Sequence, residues 1–525
     1  MSVDYLLKGG TIIDGSSPDV PPIQMDIAIE GDSIKDIGEL SHVDADRTID
    51  VKGLIVCPGF IDAHAHSEFS LLADGRAEGK ISQGVTTEIN GNCGLSAAPL
   101  YGPALERRES ELDEINITDR WQTFSEYFRL LEARKFGVNF VTLAGHGNIR
   151  ASVVGYSDKS LSKSDMEKMI ALLRTSMEEG AIGLSTGLIY PPGIYSGTPE
   201  IIGLAQEAAK YNGIYTTHMR SEGDDLLESV EEVINIAAKA GIHAHISHIK
   251  TSGEKNWNKL HNVFTMIEEA RGKGISMTCD RYPYTASSTD LDTVLPSWAF
   301  EGGHEKEISR LKNQRAELTE DILKIYSRSS DWDKVVISSV RTDKNRWMEG
   351  KSIPEISRVQ GKTELQTVFD ILLDEGLSAG AIFFTMNEDN LKAILKRPYC
   401  AIGTDSAVRS FSGITAKGMP HPRGFGSFPR VLGRYVRELG TLTLSEAVYK
   451  MSGLSADIFK IRRRGALKKG FFADITIFDP LKIIDTADYS APFRRPEGIY
   501  HVFINGKPVL LHGELTGELP GRVLR

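Results

Sequence analysis

The sequence predicts an α/β protein: a (β/α)8 TIM barrel that carries a small β domain made from both chain ends. In the middle of the chain, eight short apolar runs alternate with amphipathic helical stretches, the mark of βα units around a parallel sheet. The two ends read instead as short strands broken at Gly, Asp and Pro. Metal-binding residue types fall at the C-terminal ends of the apolar runs, where a barrel gathers its functional groups.

Taken in order, the first segment holds YLLKGGTIID, DIAIEGDSIKDIG and RTIDVKGLIVCPG, which alternate apolar and polar residues. The last holds ADITIFDP, IYHVFINGKPVLLHG and GELPGRVLR. Neither end makes a core alone. Because termini often lie close in space, residues 1–58 and 462–525 are expected to form one small sandwich. Residues 59–461 are expected to form the barrel. Its strands are GFIDAHAH (59–66), GVTTEING (84–91), NFVTLAGH (139–146), AIGLSTGL (181–188), GIYTTHMR (213–220), HAHISHIK (243–250), GISMTCDRYPY (274–284) and YCAIGTDS (399–406). SDMEKMIALLRTSMEEG and DDLLESVEEVINIAAKAG fit between them as helices, with apolar spacings of three and four. Residues 286–398, between the seventh and eighth strands, have helical patterns of their own and a strand-like KVVISSV. They are expected to be an insertion or lid over the barrel mouth.

Composition narrows the function classes. With 41% hydrophobic and 25% charged residues the chain is an ordinary globular sequence. A net charge of -10 argues against nucleic acid or an anionic membrane as partner. The start, MSVDYLLKGG, lacks a signal peptide's basic and apolar segments, and no apolar run approaches a membrane span, so a cytoplasmic location is expected. Arg462, Arg463 and Arg464 read as a solvated surface turn. Four cysteines make no disulfide framework. Cys57, Cys279 and Cys400 read as buried thiols; Cys93 lies in a turn between Asn92 and Gly94. Oligomeric state leaves no trace in the sequence.

His64 and His66 close the first strand, and strand alternation puts both on one face. Cys93 follows the second strand, His218 ends the fifth, His248 the sixth and Asp405 the eighth. Cys93, His218 and His248 match zinc, which takes thiolate and imidazole ligands and keeps a position open for water in catalytic sites. His64 and His66 can complete a second, weaker site, with Cys93 as a bridge. Asp405 then suits the base that takes the water's proton and returns it to the leaving nitrogen. His243 and His245 have the opposite parity to His248 and are expected to face the helical layer. Lys250, Arg220 and Arg423 bring cations to the mouth, as a carboxylate-bearing substrate requires. Tyr190 and Tyr282 are placed to add hydrogen bonds.

The motifs PGFIDAHAHSE, QGVTTEINGNCG, GLIYPPG, THMRSEGDDLLE, ISHIK, DRYPYTASST, IGTDS, HPRGFGSFPRVLG and GRVLR occur in this order over essentially the whole chain. In them the chain resembles the amidohydrolase superfamily and, within it, the N-acyl-D-amino-acid deacylases (D-aminoacylases). The resemblance implies a distorted barrel of the amidohydrolase type plus the terminal β-sandwich. It implies one tight zinc on Cys93, His218 and His248, and a weaker second position at His64, His66 and Cys93. Asp405 matches the catalytic aspartate, and Arg423, Lys250, Tyr190 and Tyr282 match residues that hold the substrate carboxylate. The implied reaction is hydrolysis of an N-acyl-D-amino acid to a carboxylate and a free D-amino acid. Many other amidohydrolases carry a carboxylated lysine on the fourth strand; AIGLSTGL has none. A dipeptidase for peptides ending in a D-residue, another amidohydrolase acting on a small carboxylate-bearing amide, and a silent scaffold are the alternatives.

Overall fold

The computed structural model describes residues 2–326 and 328–525. Each of the eight expected runs contains a parallel strand. Phe60–Asp62, Val85–Asn90 and Asn139–Thr142 pair in one sheet. Ala144–Gly145, Gly183–Gly187, Ile214–His218, His243–Ile246, Met277–Arg281 and Cys400–Ile402 pair in the next. The third strand joins the two: Leu143 N donates to Asn90 O at 2.9 Å, and Ile182 N to Thr142 O at 2.9 Å. Ala63 N donates to Ile402 O at 3.2 Å, and a bridge between Ala65 and Ser406 completes the circle. The strands twist because L-residues favour it, and the closed sheet leaves no exposed edge.

The helices between the strands start and stop where their sequence demands. Ser162 and Asp165 form a capping box at the start of Lys163–Glu179, which ends at Gly180 with φ 119°. Leu226–Ala240 ends at Gly241, φ 63°, and buries Val230, Val233 and Ile236 against the strands. Ala244 and Ile246 of the sixth strand pack into this helical layer. That corrects the expected parity of His243 and His245. His245 is fully buried below the site, where its Nε2 lies 2.9 Å from Asp280 Oδ2.

Strands from both ends form one nine-stranded sheet. Ile475–Phe478 pairs antiparallel with Ile55–Pro58, so the last segment hydrogen-bonds to the first. A shared core of Leu7, Ile29, Val56, Ile475 and Phe503 lies beneath it. The closing residues leave this sheet and run along the third barrel strand, where Phe140 N donates to Arg522 O and Leu524 N to Phe140 O. Of the three consecutive arginines, Arg462 and Arg463 are exposed, but Arg464 is buried. It pairs with Asp474 and donates to Asn505 Oδ1 at 2.7 Å, so it is a tie within the terminal β region and no part of a solvated turn.

Between the seventh and eighth barrel strands the chain builds a compact unit. Ser287–Asp290, Gly380–Phe383 and Val335–Ser339 form an antiparallel sheet with Gly380–Phe383 in the middle. Leu291, Val294, Ile337, Val368 and Ala381 belong to a core separate from that of the barrel. Among the described residues no helix is long and apolar enough to cross a membrane.

Candidate metal centre and active site

The strand ends bring Cys93, His64, His66, His218, His248 and Asp405 into one cluster. Zinc bonds of about 2.3 Å to sulfur and about 2.0–2.1 Å to nitrogen place two tetrahedral ligands about 3.3–3.6 Å apart. Cys93 Sγ lies 3.4 Å from His64 Nε2, 3.5 Å from His248 Nε2 and 3.8 Å from His218 Nδ1. His64 Nε2 and His66 Nε2 are 3.2 Å apart, and Asp405 Oδ1 is 3.2 Å from His66 Nε2 and 3.5 Å from His64 Nε2. These are the edges of a coordination shell. Three overlapping groups are each tight enough for one ion: His64, Cys93 and His248; His64, His66 and Asp405; and His218, Glu222 and His248. His218 turns Nδ1 toward Cys93, while its buried Nε2 makes no hydrogen bond and lies 3.6 Å from Glu222 Oε2.

The backbone departs from strand geometry to achieve this. Cys93, His248 and Asp405 have φ values of 53°, 35° and 50°. Non-glycine residues reach this left-handed region at a cost, and such strain gathers at functional sites. At His248 it explains the failed parity: the strand ends at Ile246, and the turn swings His248 into the mouth. Asp405 is fixed by its own N–H, which donates to His64 O at 2.8 Å. Two glycines make room. A Cβ on Gly403 would stand 2.7 Å from His64 Cβ, and one on Gly187 would stand 2.1 Å from Cys93 O. The Cys93 turn thus abuts the end of the fourth strand, the strand that lacks a lysine.

Acids from other strands hold the imidazoles. Asp280 Oδ2 is 3.2 Å from His64 Nδ1, and Asp280 Oδ1 accepts from His248 N at 2.9 Å. Glu222 Oε1 is 3.0 Å from His248 Nδ1. Carboxylates behind ligand histidines orient the ring and raise its basicity. Glu222 was not expected from the sequence, although its spacing of four from His218 was a usable signal. Charges follow the same plan. Burial would push the Cys93 thiol up, but His64 and His248 outweigh it and hold it well below the usual thiol range. Burial lowers His218, which favours its neutral, ligating form. Burial opposes charge on His66 as well, yet Asp405 and Cys93 raise it to about 9. Asp405 is held well below the ordinary carboxylate range, because Arg423 and His248 outweigh its burial.

The expected substrate residues surround this cluster. Arg423 Nη1 pairs with Asp405 Oδ2 at 2.7 Å, and Arg423 Nη2 donates to Ser288 O at 3.2 Å. Lys250 Nζ is bound to Glu222 and lies 2.9 Å from His248 Nδ1. Tyr190 packs edge-on against His218 and shares a 3.2 Å hydrogen bond with Thr289 Oγ1. Tyr282 is fully buried under the guanidinium of Arg423, 4.6 Å from its ring centre, and its hydroxyl has no partner. Arg220 is engaged elsewhere, with Glu232 and the carbonyls of Ile194 and Ser196. His146 is likewise held by Glu200 at 2.7 Å.

Beneath the cluster lies a second buried group. Lys80 Nζ sits 2.7 Å from Asp62 Oδ2, 2.6 Å from Glu88 Oε1 and 3.0 Å from Thr404 Oγ1, and all three charged residues are fully buried. It ties the first, second and eighth strands together. Above the cluster, a cavity of about 790 Å³ runs from Cys93, His218 and Asp405 to the insertion, which supplies Ser288, Thr289 and Asp292. That is the size of a small-molecule site, built where the barrel meets a second unit.

The amidohydrolase family matches residues 47–510. A D-aminoacylase of Alcaligenes xylosoxydans xylosoxydans is 36% identical over 99% of this chain and 97% of its own. An N-acyl-D-glutamate deacylase of the same organism is 34% identical over 100% of this chain and 96% of its own. Among solved structures, the N-acyl-D-glutamate deacylase of Bordetella bronchiseptica, complexed with zinc and a phosphonate inhibitor, superposes with a TM-score of 0.85 at 32% identity, covering 100% of both chains. The strand ends, the donor cluster and these likenesses agree: the chain belongs to the amidohydrolase family.

Proposed function

We propose that the protein hydrolyses the amide bond of N-acyl-D-amino acids, releasing a carboxylate and a free D-amino acid, with zinc as its metal. The observation that carries this is Cys93 at zinc-ligand separations from His64 and His248, with His218 at 3.8 Å, Asp405 at the same cluster and Arg423 against it. Cys93, His218 and His248 are the expected tight ligands; His64 and His66 would hold the weaker second ion, with Cys93 shared. A zinc ion held by these residues would supply Lewis acidity for the amide carbonyl and for the attacking water.

The chain's own residues do the rest. Asp405 remains ionised under the influence of Arg423 and His248, so it can accept the proton of the attacking water. It then delivers that proton to the leaving nitrogen. Arg423, Lys250 and the partnerless hydroxyl of Tyr282 supply donors for the substrate carboxylate, and Tyr190 closes the side near His218. Walls of the barrel and insertion limit water around the reacting bond. The D configuration rests on the relatives, which are a D-aminoacylase and deacylases of N-acyl-D-amino acids.

The test is a comparison of N-acetyl-D-amino acids with their L-enantiomers, using protein loaded with zinc. Release of free D-amino acid, with the L series slow, is the expected outcome. Faster turnover of the L series, or none of either, defeats the proposal.

A further inference from the structure

The buried triad beneath the metal cluster also reaches the turn that carries Asp405. Asp62 ends the first barrel strand and is fully buried. Its carboxylate accepts four hydrogen bonds: Oδ1 from His64 N at 3.2 Å and Thr404 N at 2.8 Å, and Oδ2 from Lys80 Nζ and the Thr404 hydroxyl, both at 2.7 Å. One oxygen thus joins the main chain of His64 to that of the residue before Asp405. Lys80 comes from the short helix Glu78–Ile81, between the first two strands. Its Nζ donates to Thr404 Oγ1 and to Ser406 O, each at 3.0 Å. The residues on either side of Asp405 therefore meet the same ammonium.

That turn needs holding. Asp405 has φ 50°, a left-handed conformation that a non-glycine residue keeps only where its surroundings over-determine it. The tip of its side chain touches His66 and Arg423, which serve the metal and the substrate in the reading above. Its backbone is secured separately. Asp405 N donates to His64 O at 2.8 Å and His66 N to Ser406 O at 3.3 Å, while Asp62 and Lys80 bind Thr404 and Ser406. Pairing of the first and eighth strands does not call for these extra bonds, since Ala63 N already donates to Ile402 O at 3.2 Å. A reacting group displaced by about 1 Å can lose about 10²-fold in rate, so a fixed backbone at the base has a kinetic consequence.

We propose that Asp62, Lys80 and Thr404 are positioning residues of the hydrolysis: they lock the Asp405 turn to the His64 strand, so that the base keeps one distance from the metal ligands. This rests on the deacylase reading above, with Asp405 as its base. None of the three lines the cavity; each acts through the backbone that carries Asp405 and His64. Thr404 is the member that separates positioning from bracing. Its hydroxyl links the Lys80–Asp62 pair to the turn, whereas the ion pairs of Lys80 with Asp62 and Glu88 do not include it.

The experiment measures kcat, KM and bound zinc for Thr404→Val, Thr404→Ala and Thr404→Ser, on the N-acetyl-D-amino acid that the unaltered protein hydrolyses fastest. Counting kcat per bound zinc cancels unfolded protein. We expect Thr404→Val to lower kcat about 10–100-fold with KM and zinc content kept. Thr404→Ser restores the hydroxyl and should recover most of the rate. Thr404→Ala removes the hydroxyl too and answers the same question if the valine variant does not fold. The readout that a mere brace would not move is a double-mutant cycle. In an Asp405→Asn background, Thr404→Val should change kcat by no more than about twofold, because the group it positions is already gone. Unchanged kcat in both hydroxyl-free variants, zinc lost in step with activity, a serine variant as slow as the valine one, or the same fold-loss with and without Asp405 each overturns the assignment. An unaltered protein that hydrolyses no N-acetyl-D-amino acid overturns the deacylase reading itself.

Discussion

Two buried polar clusters share the first two barrel strands and are built in opposite ways. In one, the carboxylates of Asp62 and Glu88 enclose the ammonium of Lys80, so the chain supplies both signs. In the other, Cys93, His64, His66, His218 and His248 turn donor atoms toward one another. The first is complete in itself and holds strands together. The second gathers only electron-pair donors, which is stable in a protein interior when an ion completes it. Burial alone does not distinguish scaffold from site; the sign and supply of charge do.

The comparison can be broken at either cluster. The largest effect is expected from Cys93→Ala or exhaustive chelation. Bound zinc, read by elemental analysis, should fall and activity should vanish, while readdition restores only the chelated protein. An active, metal-free enzyme would end the distinction. Asp405→Asn should keep zinc yet lose about 10²–10⁴ in kcat, the range of a general base. A near-normal rate removes Asp405 from its role. At the other cluster, Lys80→Met leaves two buried carboxylates facing each other, so urea denaturation should show a loss of about 3–5 kcal/mol. If stability is unchanged, the triad is not the brace described here. The smallest effect is expected from Asp280→Asn, which should weaken zinc binding about 10–100-fold in competition with a chelator while leaving the fold intact. An unchanged zinc affinity would mean that His64 and His248 are oriented without Asp280.

Much of this was legible in the sequence, because barrel strands are local patterns and their ends are easily found. All eight apolar runs contain strands, and the donor residues meet at the strand ends, but the tight groups set Cys93 with His64 and His248, and His218 with Glu222, where the sequence joined Cys93 to His218 and His248. Strand parity failed where the backbone leaves the strand: His245 lies beneath the site with Asp280, and His248 enters through a left-handed turn. Glu222 was signalled only by its spacing of four from His218, because its other partners, His248 and Lys250, come from another strand end. Arg464 looked like part of an exposed basic run because its counter-ion, Asp474, pairs with it only when the terminal segments fold. Local alternation finds the frame, whereas charge partners recruited over long separations have no local signature.

If Arg423 anchors the substrate carboxylate and Asp405 is the base, as proposed, their ion pair would link recognition to reactivity. In the free protein the anchor and the proposed base hold each other, and the aspartate is correspondingly a weak proton acceptor. A substrate carboxylate that draws Arg423 toward itself loosens this embrace, and Asp405 becomes more basic just as the amide is seated. An amide without that carboxylate leaves the latch fastened. The enzyme would then reject such molecules twice, once in affinity and again in turnover.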